Sequence, residues 1–146
     1  MISTFVEQSA YAKGVLASLI KLPIPKNSTA IVCENFLMGG KVSHPDHPER
    51  SCISPSFRSA RAAVDCITTW NEGTNVVAQA EIDQLSHKIL MPLGNGGIYL
   101  NQPWFNAPNW KRNFWGSESV YERLLKVKHQ VDPDNFFTCH QCVGSD

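Results

Sequence analysis

The spacing of apolar and polar positions changes several times along the chain. Across residues 3–21, Phe5, Ala12, Val15, Ala17, Leu19 and Ile20 recur at roughly helical intervals. Pro23 and Pro25 forbid continuation, since each ring removes a backbone donor and crowds the preceding turn. This pattern predicts a first helix. Residues 29–33 are β-branched and apolar and run toward Gly39 and Gly40, which predicts a strand, with a second short strand at 41–43. Two prolines within residues 44–50 predict a loop. Residues 57–70 stay open between two readings. Ala60, Ala62 and Ala63 favour helix, whereas Val64, Cys66, Ile67, Thr68, Thr69 and Trp70 favour strand.

Over residues 74–90, Val77, Ala80, Leu85 and Ile89 alternate with Glu81, Asp83 and Lys88, the pattern of an amphipathic helix stopped by Pro92. The glycine-rich residues 94–97 predict a sharp turn into a short strand at 98–100. The last helix carries the capping box Ser119 to Glu122, a buried stripe of Tyr121, Leu124, Leu125 and Val127, and Lys126 and Lys128 near its negative end. Asp132-Pro133-Asp134 terminates it. Strands and helices mix without regular β-α-β alternation, so the fold class is α+β.

The 146 residues, 42% of them apolar, suit one modest domain or a piece of one. Thirteen basic residues balance thirteen acidic ones. No long-range field then draws this surface to nucleic acid or an anionic membrane. Apolar stretches fall far short of the roughly 20 residues that span a bilayer. Glu7 and Lys21 make residues 1–22 unlike a signal peptide.

Five cysteines leave at least one thiol unpaired. Cys139-His140-Gln141-Cys142 has no second ligand pair of matching spacing, so a structural disulfide or inert thiols are favoured over zinc or redox use. His44, Asp46, His47 and Glu49 on their proline-broken loop read as a solvated turn, and Glu72, Glu81 and Asp83 as a wet helix face; no metal is expected. Asn27-Ser28-Thr29 is a glycosylation acceptor triplet, which matters only in the secretory pathway. No glycine-rich phosphate loop or serine nucleophile elbow is present.

The tail carries more information as an ordered set. Gly97-Ile98-Tyr99-Leu100-Asn101, Pro108-Asn109-Trp110, Phe114-Trp115-Gly116, Tyr121-Glu122-Arg123-Leu124, Lys126-Val127-Lys128 and Asp132-Pro133-Asp134-Asn135-Phe136-Phe137 follow one another. That succession is similar to the C-terminal segment of berberine bridge enzyme-like oxidases, in the vanillyl-alcohol oxidase superfamily. The closing Cys142-Val143-Gly144-Ser145 resembles fungal members. Phe36-Leu37-Met38-Gly39-Gly40, Ser54-Pro55-Ser56-Phe57-Arg58 and Trp70 resemble the substrate-domain strands of the same group.

The resemblance implies the C-terminal part of a substrate domain, an antiparallel sheet with covering helices, over residues 1–95, and the berberine-like C-terminal segment over 96–146. It implies FAD as cofactor, held by an FAD-binding domain whose motifs this chain lacks, so flavin binding by this chain alone is not expected. The chain's surface facing that domain is expected to be apolar. The family's Tyr-x-Asn motif falls on Tyr99 and Asn101, the first as the catalytic group that deprotonates a substrate hydroxyl and the second near the flavin. Gln102 stands where many fungal relatives have Glu, and residues 116–121 are longer than the usual Gly-to-Tyr spacing. The implied activity is oxidation of an alcohol, sugar or related small molecule, in a secreted protein, with this chain inactive by itself. The alternative is a non-catalytic fold remnant or small-molecule binding module.

Overall fold

The computed structural model describes residues 2–19 and 21–145, and shows a three-stranded antiparallel sheet with helices packed on one face. Strand β1 is Ile2–Glu7, followed by the short helices α1 (Gln8–Ala12) and α2 (Val15–Leu19). Strand β2 spans Ser28–Leu37; α3 (Ser56–Ser59) leads into the long strand β3, Ala60–Trp70. Helix α4 covers Asn75–Leu85, a π-turn takes Ser86–Leu90, and α5 is Met91–Leu93. Helices α6 (Trp110–Trp115) and α7 (Glu118–Val131) close the chain. The sheet order is β1-β3-β2, which makes the alanine-rich β3 the centre.

Residues 57–70 therefore divide, a single helical turn giving way to strand. Small side chains at Ala60, Ala62 and Ala63 let both neighbouring strands approach, and β3 is buried at nearly every position from Ala60 to Thr68. The α+β class holds. The first predicted helix is corrected: Ile2 to Glu7 form an edge strand in register with β3, Phe5 opposite Ala63 and Ser3 opposite Asp65. Ser3, Thr4, Phe5 and Val6 suit a pleated surface, and their partner lies some sixty residues away, beyond the reach of local periodicity. Helix resumes only from Gln8, and Ile20 lies outside the described residues. Residues 41–43 make a 3-10 turn, Gly40–Val42, instead of a strand, since Met38 is the last residue bonded to β3, through Arg61 O at 2.8 Å.

Side chains opposite one another in an antiparallel sheet share a face. Val6, Val64, Cys66, Ile31 and Cys33 point toward Ile82, Leu85, Leu90, Ile98 and Trp104, forming the main core. Cys33 and Cys66 are directly opposed across β2 and β3 and form a disulfide. The other face carries Ser3, Phe5, Ala63, Asp65, Val32, Glu34 and Phe36. Phe57 and Tyr99 cover only its Phe5 end. Val32 and Phe36 remain 57% and 48% exposed there.

Helix α4 buries Ala78, Ile82 and Leu85, with Leu90 continuing the line, so the stripe differs from the predicted one. Val77 is exposed because Ala78 faces the sheet. In α7 the cap is Ser117, whose hydroxyl accepts from Val120 N at 3.3 Å, two residues before the predicted box. Tyr121 is buried and Leu124 and Leu125 partly so, while Val127 is exposed. The helix ends at Val131, and the Asp132 carboxylate accepts from the Phe136 and Phe137 amides at 2.8 and 3.0 Å.

Candidate active site

The segment after α5 is tied to the free edge of β1. Asn95 N donates to Phe5 O at 2.8 Å and Phe5 N donates to Gly97 O at 3.3 Å. The Asn95 side chain bridges to Ser56 O and Ser59 Oγ, both at 3.0 Å. Gly97 permits this approach: a Cβ there would stand 2.7 Å from the Phe5 ring and closer still to Ser56. Residues 98–100 consequently form no strand. Ile98 is driven into the core at 1% exposure, and Tyr99 to Gln102 close a turn with Gln102 N on Tyr99 O at 2.9 Å. The Ser3 hydroxyl clamps the turn, accepting from Tyr99 N at 3.1 Å and donating to Gln102 O at 2.8 Å. A buried serine of the first strand thus fixes the height of Tyr99 above the sheet.

Tyr99 is half-buried against Phe57, ring centroids 5.8 Å apart and edge to face, and its phenol oxygen accepts from Asn101 Nδ2 at 2.9 Å. The two residues singled out in the sequence therefore touch. Two cavities meet at this tyrosine. One, of about 480 Å³, is walled by Ile53, Phe57, Leu100, Trp115 and Asn101. The other, of about 280 Å³, is walled by Phe5, Phe36, Met38, Asp65 and Gln102.

Asp65 is the group that sequence reading overlooked. It lies mid-strand in β3 at 0% exposure, and neither carboxylate oxygen makes a well-formed hydrogen bond among the described residues. Burial pushes its pKa up from 3.8 to about 6; the nearby Gln102 amide lowers it and the Glu34 charge opposite adds to the rise. A lone acid in the otherwise apolar run 62–67 was the available signal. Because the folded pKa exceeds the unfolded one, folding binds a proton, and stability falls as pH rises from about 4 through 6 and then levels. Asp65→Asn is expected to stabilise the fold at pH 7 by roughly 1–2 kcal/mol, solvent screening included, and to flatten that slope in denaturant titrations. An unchanged slope would remove Asp65 as its source.

The tryptophans differ in role. Trp104 is a core residue whose indole donates to Asp83 at 2.5 Å, while Trp110 packs on Phe114 and Tyr121. Trp115 borders the larger of the two cavities at Tyr99. Asp83 is no wet-face carboxylate: Trp104, Asn106 and Gln79 all donate to it. Burial tends to raise its pKa, and these three bonds outweigh that and bring it below the usual range.

Cys139 and Cys142 are joined, and Cys52 is free. The tail they close is docked by His140, stacked on Phe105 at 4.1 Å, and by Gln141 Nε2 on Phe105 O at 3.0 Å. In the 44–50 loop Asp46 pairs with Lys41 at 2.8 Å on the surface. Among the described residues no three His, Cys, Asp or Glu side chains cluster for a metal, and no helix is long and apolar enough to cross a membrane.

The fold and the site together are a three-stranded antiparallel sheet packed by helices, with a tyrosine beside an open cavity. The chain superposes with a TM-score of 0.76 on a VAO-type flavoprotein from Myceliophthora thermophila, at 22% identity, covering 98% of this chain and 26% of that one. With a BBE-like protein of Physcomitrella patens the TM-score is 0.71 at 16% identity, covering 99% and 30%. Residues 98–144 match the family model described as berberine and berberine-like. An FAD-linked oxidoreductase of Arthroderma benhamiae is 31% identical over 106 residues, 69% of this chain and 18% of that protein. A VAO-type flavoprotein oxidase of Thermothelomyces thermophilus is 29% identical over 119 residues, 78% and 20%. Through residues 98–144 the chain belongs to the berberine and berberine-like family, whose members here are FAD-linked oxidoreductases. It spans about a fifth of the length of these curated relatives.

The described residues do not fit FAD as a whole. The glycines near the site open no helix that would cradle a diphosphate, and the walls around Tyr99 are apolar apart from Asp65, Gln102, Asn101 and Ser54.

Proposed function

We propose that the chain is the substrate-side wall of an FAD-dependent oxidoreductase that oxidises an alcohol, sugar or related small molecule, with Tyr99 as the catalytic base. In this reading residues 1–95 are substrate domain, residues 96–146 are the berberine-like segment, and an FAD-binding domain supplies the electron acceptor. The observation that carries it is the Tyr99–Asn101 hydrogen bond at the junction of two cavities. Asn101 donates to the phenol oxygen, an arrangement that stabilises negative charge developing there. A substrate hydroxyl would donate to Tyr99 Oη or to the unsatisfied Asp65 carboxylate before losing its proton. Asn101, beside the phenol and exposed, is assigned in this reading to the flavin side.

Proton removal alone completes no oxidation, so the isolated chain is expected to be inactive. Mixed with excess FAD and passed through a desalting column, it should elute without flavin absorbance in the visible range. Stoichiometric yellow protein would overturn the division of labour proposed here. The rival reading, a binding module without chemistry, would leave oxidation by the flavin-containing protein indifferent to Tyr99. The two disulfides support a secreted protein.

A further inference from the structure

We infer that Asn27 is an N-glycosylation site, a modification that the reading of the oxidase site neither needs nor uses. Asn27-Ser28-Thr29 is the sole Asn-x-Ser/Thr triplet in the sequence. The structure places it where a glycan is tolerated. Ser28 N donates to Pro25 O at 2.9 Å, so Lys26 and Asn27 form the apex of a β-turn entering β2. Asn27 is held through its own backbone groups: Asn27 N donates to Glu81 Oε2 at 3.4 Å and Asn27 O accepts from Asn71 N at 3.1 Å. Its side-chain amide makes no hydrogen bond among the described residues, nor is it among the buried atoms left without a partner, so it reaches solvent. Losing one amide hydrogen to a sugar therefore costs the fold no contact.

The second observation is the redox state of the chain. Four of the five cysteines are paired, and Cys33–Cys66 joins the same strand that Asn27 precedes. Structural disulfides form in the compartment where asparagine glycosylation takes place. The groove beside the turn, walled by Ile24, Pro25, Leu85 and Ile89, leaves Ile24 56% exposed, and the acetamido sugars nearest the protein would cover it. From Asn27 to Glu34, which faces Asp65, the strand runs roughly 23 Å, so a glycan there leaves the Tyr99 cavities open. In the reaction the Asn27 amide nitrogen forms a bond to the anomeric carbon of a lipid-pyrophosphate-linked oligosaccharide. The lipid pyrophosphate leaves and one amide proton is released.

The test is mass spectrometry of the native protein, reduced, denatured, treated with or without peptide-N-glycosidase and only then digested with trypsin, following peptide 27–41. The peptide is expected only after glycosidase, with Asp in place of Asn27. In a secreting host, Asn27→Gln and Thr29→Ala should each run as one faster band insensitive to the glycosidase. The unmodified peptide as the major form in native protein, or an N27Q band with unchanged mobility and glycosidase sensitivity, overturns the inference.

Discussion

Tyr99→Phe in the flavin-containing protein is expected to lower the rate of substrate oxidation by roughly 10²- to 10⁴-fold, the usual contribution of a positioned general base. Substrate affinity should change little. The ring keeps its edge-to-face contact with Phe57, and the clamp from Ser3 holds the backbone through Tyr99 N, so the substitution removes an oxygen and leaves the wall standing. Asn101 then loses its acceptor at an exposed position, where water replaces it. A fall in kcat without a matching rise in KM separates lost chemistry from lost binding. A variant with a several-fold higher KM and an unchanged kcat would reassign Tyr99 to substrate binding.

Trp104→Ala is expected to be the most damaging core substitution, destabilising by about 3–5 kcal/mol, the range for deleting a buried aromatic side chain. Trp104 is 1% exposed, stands edge to face on His87 at 4.6 Å, and donates to Asp83. It is also the next anchor of the chain after the Tyr99 turn, so its loss should loosen the site as well as the fold. Trp104→Phe keeps a ring and removes the donor, and about 1–2 kcal/mol is expected. Asp83 adds a pH signature. Its folded pKa lies below the unfolded value, so its stabilisation is complete above about pH 4 and is lost as pH falls through the folded pKa. Chemical denaturation at several pH values checks both points. Equal costs for the Ala and Phe variants would mean that the hydrogen bond, and not the packing, carries the effect.

What the sequence disclosed follows the range over which the forces act. Helix α7 and the strand nucleus at 29–33 are set by neighbours within a few residues, and both were legible, α7 with its cap displaced from Ser119 to Ser117. Strand β1 was not, because its pairing with β3 depends on alanines about sixty residues away. The pairing of Tyr99 with Asn101 came from a motif, and the structure adds that the two side chains touch. Asp65 could not be read as part of the same site. Its placement opposite Ser3 and Glu34, facing the cavity under Tyr99, is a product of strand register alone. The short strand read at 98–100 failed for a related reason: residues 95–97 satisfy the edge of β1, and Ser3 then bends the chain.

In the proposed reaction Tyr99 accepts the substrate proton while another domain holds the electron acceptor. This division of roles is tested most directly by the pH dependence of anaerobic flavin reduction in single turnovers, comparing the wild-type protein with Tyr99→Phe. The wild-type rate is expected to rise with pH along a limb absent from the variant, whose rate is low and flat at alkaline pH. Identical profiles of similar height would contradict it and leave Tyr99 a packing residue.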